Sequence, residues 1–474
     1  MSSPAPEARP HVLLVVPRGE AVRNFLYSDT LPTLAAAARV TVLTVVHDEE
    51  FVGPFRSLTE EILPLPELAA SRWVYYLRTL TENAHDRWLW SAVAQNNWEL
   101  RDRRAAQRGK RWQRWLVKGA ARALAWPGAL HALTRLEQGL HYRLRPTSAM
   151  DRLLERLRPD LVFNGSHIHG LAGELPLRVA QRMGIPTAGF IFSWDNLTSR
   201  SRIFVPYDHY LVWHEGMRRQ LLSIYPRVPA ANVHVTGTPQ FDFHFQPQYQ
   251  LSREETCRRL GIDPARPYVC YTAGIAHHFP QEHRHVELVI RLLGELDLPE
   301  RPQLVVRVNV KDTSPEMRAL AERGLPDVIF PPVQWDRERA IPRQEDLAVY
   351  SGLLRHAALG INAASTVSLE LLAFDKPVIN LDFDPPGSDL PWCLGYERHI
   401  RFDHYRTVAE SGAVMVARSA ADMARFLRRG LTAPEADAEV RRRFLAETFG
   451  GTLDGGCGRR VAETLLALAG RKDP

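Results

Sequence analysis

Short apolar segments alternate with helix-length segments along most of this 474-residue chain, and this alternation limits the possible folds more than any other feature. The run 11–16 is wholly apolar after its first residue, and a helix-like stretch to about residue 38 separates it from a second apolar run at 39–46. A strand–helix–strand unit of about 36 residues is typical of a right-handed parallel crossover. The alternation returns after residue 150 and again after residue 268, so we predict an α/β protein with doubly wound parallel sheets.

The chain is too long to form one hydrophobic core, because single domains usually contain about 100–200 residues. Residues 241–250 are polar and aromatic without clear periodicity, and we interpret them as a linker. We therefore predict a Rossmann-like domain at 1–245 and a second at 246–474, with the active site in a cleft between them.

The segment 70–145 breaks the alternation, and we predict a helical insertion there. Seven of the 11 tryptophans lie between residues 73 and 126, and residues 101–118 contain eight Lys and Arg against one acid. On a helical wheel a basic stripe runs beside an aromatic one, which suits a helix lying in a lipid interface. The residues predicted to contact an anionic membrane are Arg111, Arg114, Lys118, Trp112 and Trp115. The alternatives are an insertion packed on its own domain with a solvated Arg face, or a contact with a polyanion or a protein.

Composition narrows the location and partners only in part. Lys and Arg exceed Asp and Glu by six, so we expect an anionic partner. The charge excess alone does not decide the chemical class of that partner. Our separate prediction is that it is not a nucleic acid. The four cysteines include no CxxC pair, and we predict neither a metal site nor a cofactor. Apolar runs are short and the N-terminus is not signal-like, so we expect a cytoplasmic protein, or one peripheral on the inner face of the membrane.

The strongest candidate site lies where the strand at 358–362 runs into a helix. Ser365 and Thr366 can cap that helix while its free N–H groups point to an anion. Glu370 lies one turn later on the same face, where its carboxylate could accept the two hydroxyl hydrogens of a ribose. The alternative is an ordinary well-capped helix.

Two further loops of the second half could reach the same ligand. Gly274 follows the strand at 268–272, and its small size would admit a phosphate. We predict a strand over 303–310, in which Arg307 alternates with Asn309 so that both side chains share one face. An arginine in that position is also commonly a salt-bridge partner.

The first half offers candidates for the reacting group. Asp195 follows the strand at 186–192 and is a candidate general base with Asn196 beside it, or else it forms an Asx turn or helix cap. Glu20, after the first strand, would face the same cleft. The His167-x-His169 pair has metal-ligand spacing but no evident third ligand nearby.

These residues resemble the two-Rossmann-domain (GT-B) glycosyltransferases. The stretch from Ser365 to Glu370 with the later Lys376-Pro-Val-Ile is similar to their donor-nucleotide motif, in which the hydroxylated turn meets the diphosphate and the glutamate meets the ribose. The resemblance also implies that the terminal helices cross back to the first domain. The stretches 193–200, 235–242 and 307–312 are similar to the bacterial envelope-polymer branch that includes CDP-glycerol glycerophosphotransferases, although Asp195 and Asn309 replace its two histidines.

The resemblance implies a metal-independent glycosyltransferase. It would move a sugar from a nucleotide diphosphate donor to a hydroxyl of a cell-envelope glycan or a polyprenyl-linked acceptor. Asp195 would act as the base with Asn196, while Gly274, Arg307, Asn309, Ser365 and Thr366 would hold the donor. The alternatives are a glycerophosphotransferase-like polymer enzyme, a non-hydrolysing nucleotide-sugar epimerase, and a catalytically silent nucleotide- or glycan-binding module.

Overall fold

The computed structural model describes residues 9–66, 71–144, 147–168, 170–200 and 202–470. The chain divides into two compact units. Unit 1 contains Met1–Asp242 and Thr452–Pro474, and unit 2 contains Phe243–Gly451. Each unit is built on its own parallel sheet, so the predicted α/β architecture with two doubly wound sheets is confirmed.

Within the described residues, unit 1 has seven parallel strands. They are β1 (His11–Val16), β2 (Arg39–Thr44), β3 (Glu61–Pro64), β4 (Leu161–Asn164), β5 (Thr187–Phe190), β6 (His209–Val212) and β7 (Val233–Val235). Their order across the sheet is β3-β2-β1-β4-β5-β6-β7. Every residue of β1 is buried, as expected of a central parallel strand covered on both faces. The chain order reverses between β1 and β4, which makes this the topological switch point of the sheet.

Eleven helices precede unit 2 in the described part of the chain. They are α1 (Gly19–Phe25), α2 (Thr30–Ala37), α3 (Glu49–Val52), α4 (Arg72–Leu89), α5 (Ala92–Gln107), α6 (Arg111–Ala123), α7 (Pro127–Leu144), α8 (Ser148–Leu157), α9 (Gly170–Arg182), α10 (Asn196–Ser199) and α11 (Glu215–Ile224). Helices α4–α7 lie between β3 and β4 and form the helical insertion. The outermost predicted positions of the insertion, 70 and 145, lie outside the described residues. No helix in the described ranges combines the length and the hydropathy needed to cross a bilayer.

A cluster of buried charges fastens the insertion to the core of unit 1. Arg78 of α4 donates to Glu137 of α7 (Nε–Oε1, 2.7 Å) and also pairs with Glu174 of α9. Arg178 of α9 donates to the same two carboxylates, at 2.8 and 3.1 Å. Buried charges of this kind are tolerated because each faces an opposite charge. The insertion is therefore tied to the helix that follows β4.

The basic stripe of α6 is only partly directed to solvent. Arg114 and Lys118 each lie 2.6 Å from a carboxylate oxygen of Asp102, and both cations sit over the ring of Trp98 on α5. The prediction of a continuous outward-facing basic band is therefore wrong for these two residues. The single acid of segment 101–118 draws them inward.

The aromatic side of α6 is open. Trp112 and Trp115 are 65% and 72% exposed, and Arg111 is also exposed. These three side chains of the predicted contact surface remain accessible on unit 1.

Unit 2 has a second parallel sheet. Among the described residues its strands are β8 (Tyr268–Thr272), β9 (Gln303–Arg307), β10 (Val328–Ile329), β13 (Leu359–Asn362), β14 (Val378–Leu381) and β15 (Met415–Ala417), and the pair β11 (Trp335–Asp336) and β12 (Ile341–Pro342) is antiparallel. The parallel order is β10-β9-β8-β13-β14-β15, with the switch point between β8 and β13.

The later helices are divided between the units. They are α12 (Arg253–Leu260), α13 (His283–Glu295), α14 (Pro315–Glu322), α15 (Gln344–His356), α16 (Val367–Ala373), α17 (Glu397–Arg401), α18 (Asp403–Glu410), α19 (Ala420–Thr432), α20 (Ala438–Phe449) and α21 (Cys457–Ala469). Of the terminal helices, α19 and α20 belong to unit 2 and α21 to unit 1. Asp242 accepts the backbone N–H of Gly458 at 2.6 Å, which joins the start of α21 to unit 1.

The segment predicted as a linker is structured. Short 3₁₀ turns occupy Pro239–His244 and Pro247–Tyr249, and others lie at Gly53–Leu58, Ala230–Asn232 and Trp392–Leu394. Phe243 and Tyr249 are each 3% exposed, and the hydroxyl of Tyr249 donates to Gln344 of α15 at 3.2 Å. The chain passes from unit 1 to unit 2 inside this segment, after Asp242, and the side chains of Phe243 and Tyr249 pack into unit 2, so the connection is not an extended linker.

Candidate active site

Four neighbouring strands of unit 2 carry polar residues at or next to their carboxyl ends, and these residues lie side by side. The register pairs Thr272 of β8 with Arg307 of β9 and with Asn362 of β13, and it pairs Asn362 with Asn380 of β14. None of these side chains is more than 8% exposed. They lie at the carboxyl edge of the sheet and span its switch point, where open α/β sheets bind ligands.

Asn362 holds the turn that leads into α16. Its Oδ1 atom accepts the backbone N–H of Ser365 at 2.9 Å, the Ser368 hydroxyl at 3.0 Å and the Asn380 amide at 3.0 Å. The hydroxyl of Tyr405 lies 2.7 Å from both Ser368 Oγ and Asn380 Oδ1. A network whose members bind one another rigidifies a site. Within the described residues, the buried Nδ2 of Asn362 has no hydrogen-bond partner.

The turn itself is strained. Ala364 has φ of +54°, a left-handed conformation that residues with a Cβ seldom adopt. Such strain persists only where surrounding contacts impose it, and it is common at functional sites. Ser365 and Thr366 follow in half-buried positions, and Ser365 Oγ accepts the backbone N–H of Val367 at 3.3 Å. The Ser365 hydroxyl therefore caps the first backbone N–H of α16.

Glu370 is enclosed by side chains of unit 2. It is 4% exposed, it accepts a hydrogen bond from the hydroxyl of Tyr350, and its Oε2 atom lies 3.8 Å from His244 Nε2. Because Tyr350 occupies one carboxylate oxygen, a ribose at this position has to share or displace that hydroxyl.

Arg307 is 7% exposed and pairs with Asp346 of α15. Asp346 also accepts the indole N–H of Trp335 at 2.8 Å and the backbone N–H of Gln334 at 3.1 Å. The guanidinium lies 5.5 Å from the ring centre of Tyr350. Its buried Nη1 has no hydrogen-bond partner in the part of the chain that the structure describes.

Asn309 does not share a strand face with Arg307. Strand β9 ends at Arg307, two residues before Asn309, and Asn309 is exposed. Its Oδ1 atom accepts the backbone N–H of Lys311 at 2.9 Å. The prediction of a strand to residue 310 with both side chains on one face was wrong, because a local asparagine turn replaces the extended backbone there.

The carboxyl group of Glu282 binds the loop after β8. The backbone N–H of Gly274 donates to Glu282 Oε2 at 2.8 Å, and Tyr271 donates its hydroxyl to Glu282 Oε1 at 3.1 Å. A Cβ at residue 274 would lie 2.1 Å from the Phe279 ring, so only glycine fits. Burial raises the pKa of Glu282 to about 8. The carboxyl group of Glu282 thus accepts the Gly274 N–H that was predicted to contact a phosphate. No spacing in the sequence indicates this role of Glu282.

Asp195 and Asn196 lie after β5 in unit 1, as predicted. The Asp195 carboxylate accepts the hydroxyl of Ser199 and, at 3.3 Å, the side-chain amide of Asn196. Asn196 is 3% exposed, and its Oδ1 atom accepts the backbone N–H of Ser193 at 2.9 Å. Asn196 therefore shapes the loop, while the carboxylate of Asp195 is half-buried.

The neighbouring loops add His167, which the sequence singled out only for its metal-ligand spacing with His169. His167 follows β4, its Nδ1 lies 3.3 Å from the carbonyl oxygen of Phe190, and burial lowers its pKa to about 4. The charge of Asp195 acts on it in the opposite direction. Glu20 begins α1, and Arg18 donates to it (Nη2–Oε1, 2.8 Å). His169 lies outside the described residues, which contain no group of three or more His, Cys, Asp or Glu side chains able to hold a metal.

No protein-family model matches this sequence, and no curated protein matches it. Solved structures do match, along almost the whole chain. UDP-GlcNAc 2-epimerase from Neisseria meningitidis, solved bound to UDP-GlcNAc, is 11% identical with a TM-score of 0.53 and covers 97% of this chain and 100% of its own. The chain has a GT-B-like fold.

Two other matches support the same fold. The UDP-GlcNAc 2-epimerase from Methanocaldococcus jannaschii is 10% identical with a TM-score of 0.52, covering 97% of this chain and 99% of its own. A glycosyltransferase from Rickettsia africae is 10% identical with a TM-score of 0.51, covering 98% and 100%. These matches support the GT-B resemblance and not the narrower CDP-glycerol branch.

Proposed function

We propose that this protein is a nucleotide-sugar enzyme that binds its nucleoside diphosphate sugar at the carboxyl edge of the unit 2 sheet. The full-length likeness to a structure solved with UDP-GlcNAc carries this proposal. The polar row at the switch point supports it independently, because two buried donors there, Asn362 Nδ2 and Arg307 Nη1, have no partner among the described residues. Unpartnered buried donors are costly, and an anionic ligand would satisfy them.

The donor would be held by the residues that the sequence motif predicts. The diphosphate would lie against the strained turn at Ser365 and Thr366, and the ribose hydroxyls would bind Glu370 in place of the Tyr350 hydroxyl. Isothermal titration with UDP, GDP, CDP and ADP tests this and identifies the base. Glu370→Gln should weaken the best ligand about tenfold, since a hydrogen bond to a charged group contributes about 1.5–3 kcal/mol. The matched control is Glu287→Gln on the exposed side of α13, and equal weakening in both contradicts the assignment.

Epimerisation of the bound sugar is the reaction that the matching structures favour, because two of the three described above are 2-epimerases. This reaction needs acidic groups around a single sugar ring and no acceptor. Asp195 and Glu20 are the candidate acids of unit 1.

Transfer of the sugar to an acceptor hydroxyl is the second candidate. A half-buried carboxylate, Asp195, beside a histidine that stays neutral at pH 7 suits the deprotonation of a hydroxyl. Here the acceptor would be a cell-envelope glycan or a lipid-linked sugar.

Proton NMR of the protein with UDP-GlcNAc separates the two reactions. A new hexosamine diastereomer that remains attached to UDP supports epimerisation, whereas free UDP formed only after addition of an acceptor supports transfer. Asp195→Ala should reduce turnover at least about 100-fold with unchanged UDP affinity, as expected of a positioned general base. Asp389→Ala, at an exposed site of unit 2, serves as the control. Binding without either reaction would support a silent binding module.

The exposed tryptophans of α6 support a further part of this proposal, that the insertion contacts an anionic membrane surface. Trp112→Ser with Trp115→Ser should abolish pelleting with liposomes that contain phosphatidylglycerol. Trp392→Ser, 37% exposed in unit 2, should leave it unchanged. Equal pelleting by the double variant and the wild type contradicts the membrane contact.

A further inference from the structure

Unit 1 contains a cavity of about 400 Å³ that none of the proposed chemistry uses. Helix α7 of the insertion forms one wall, and the loops that lead into β6 and β7 form the other. Asp208 and Asn232, which line it, directly precede these two strands. The cavity therefore lies at the amino edge of the sheet, whereas Asp195 lies at the carboxyl edge. Its volume is in the range of small-molecule sites.

The inner wall of the cavity is apolar and aromatic. Trp88 of α4 and Leu130 of α7 face it from the insertion, and Tyr210, Ile224 and Tyr225 face it from the core. Such a wall offers a large apolar contact area and the flat faces of aromatic rings. It suits an apolar chain or ring better than a sugar.

A half-buried cation without a counter-ion lies in this wall. Arg202 donates its Nε proton to the hydroxyl of Thr134 at 2.7 Å and lies 5.4 Å from the ring centre of Tyr225. Within the described residues it pairs with no carboxylate. Burial lowers the pKa of Arg202, because desolvation disfavours the charged form. A desolvated guanidinium without a carboxylate favours an anionic ligand.

The rim adds positive charge. Arg135 and Arg227 line the cavity, and both are exposed and have no ion pair within the described residues. The only acid among the lining residues is Asp208, whose Oδ2 atom accepts the backbone N–H and hydroxyl of Thr187 at 2.9 and 2.7 Å. The cations therefore outnumber the acids around a single apolar space.

We propose that this cavity binds an amphiphilic organic phosphate, with the phosphate against Arg202 and an apolar chain against the aromatic wall. This site is independent of nucleotide-sugar binding in unit 2, and its ligand needs no nucleotide.

Titration of the full-length protein with farnesyl phosphate, in the absence of nucleotide and below its micelle concentration, tests the proposal. The change in tryptophan fluorescence and calorimetry provide the readouts. We expect saturable binding at least about tenfold tighter than that of farnesol or of inorganic phosphate, because each probe engages only half of the site. Equal affinity for farnesol would contradict the proposed phosphate contact with Arg202. Equal affinity for inorganic phosphate would contradict the proposed contact of an apolar chain with the aromatic wall.

A charge-matched pair of variants locates the site. Arg135→Glu with Arg227→Glu should weaken farnesyl phosphate about tenfold or more. Arg143→Glu with Arg219→Glu, two exposed arginines on the same helix α7 and on α11 that do not line the cavity, should change affinity less than about twofold. Equal weakening by both pairs, with both proteins folded by circular dichroism, overturns the site. UDP titration of the same variants distinguishes a failure of this proposal from a failure of the proposed function, because UDP binding to unit 2 should be unchanged in both variants.

Discussion

Arg307 and Arg202 are both guanidinium groups shielded from water beside a parallel sheet, and they differ in what surrounds them. Arg307, at the carboxyl edge of unit 2, faces the carboxylate of Asp346. Arg202, at the amino edge of unit 1, bonds to a threonine hydroxyl and lies near a tyrosine ring, with no carboxylate partner among the described residues. Asp346 neutralises the charge of Arg307 and leaves one N–H for a ligand, whereas the charge of Arg202 faces no carboxylate among the described residues.

The two regions therefore recognise ligands in different ways. In unit 2 the neutral amides and hydroxyls of a connected network hold a turn of fixed shape, and the donors Asn362 Nδ2 and Arg307 Nη1 have no partner among the described residues. In unit 1 an apolar cavity carries excess positive charge. The first arrangement suits a ligand with many hydroxyls and a defined geometry, and the second suits an anion with an apolar body.

Removing the counter-ion of Arg307 should have the largest effect on stability. Asp346→Ala leaves a buried cation unpaired, and breaking a buried pair in this way costs about 3–5 kcal/mol. Arg202→Met loses one hydrogen bond and should cost about 1 kcal/mol. Urea unfolding followed by circular dichroism measures both, and similar costs would contradict the distinction between the two arginines.

The hydrogen-bond network of unit 2 should have the next largest effect. Asn362→Ala removes the acceptor shared by the Ser365, Ser368 and Asn380 donors and should lower the free energy of unfolding by about 2–3 kcal/mol. Asn309→Ala changes an exposed asparagine with a local bond and should stay within about 0.5 kcal/mol. Urea midpoints compare the two variants. Equal costs would show that the network does not hold the turn.

Glu282 should make the stability of unit 2 depend on pH. Its pKa in the folded protein is raised to about 8 by burial, above the ordinary value of 4.5, so the folded state binds a proton that the unfolded state releases. Stability from this group is complete below about pH 4.5 and is lost as pH rises toward 8, by as much as a few kcal/mol. Glu282→Gln should flatten this part of the profile. Urea unfolding at pH 5, 6.5 and 8 checks it, and parallel profiles for both proteins would contradict the shift.

The ion pairs of Asp102 should have the smallest effect. Asp102→Asn removes the partner of Arg114 and Lys118 at a partly exposed position, where such pairs contribute at most about 1 kcal/mol. The loss should shrink in 0.5 M NaCl because salt screens exposed charges. Thermal unfolding with and without salt measures it, and a loss as large as that of Asp346→Ala would contradict the dependence on burial.

The sequence predicted the parts of the site that depend on local pattern. The apolar run of β13 followed by small hydroxylated residues correctly places a strand–turn–helix at residues 359–373, and Asp195 correctly follows a strand of unit 1. The prediction that Asn309 lies in a strand was wrong, because the end of a strand depends on where its partner strand ends. Glu282 carried no signal, since its raised pKa comes from burial beneath groups distant in sequence.

The sequence by itself determined the alternation of strands and helices and the motif of small residues that ends β13, because periodicity and residue size act over short stretches of chain. Only the tertiary structure decided which charges are paired. Arg114 turns inward to Asp102, Arg307 meets Asp346 of α15, and Arg202 meets no acid in the part of the chain that the structure describes. Electrostatic interactions depend on distance and burial, and both are set by segments that are brought together only when the chain folds.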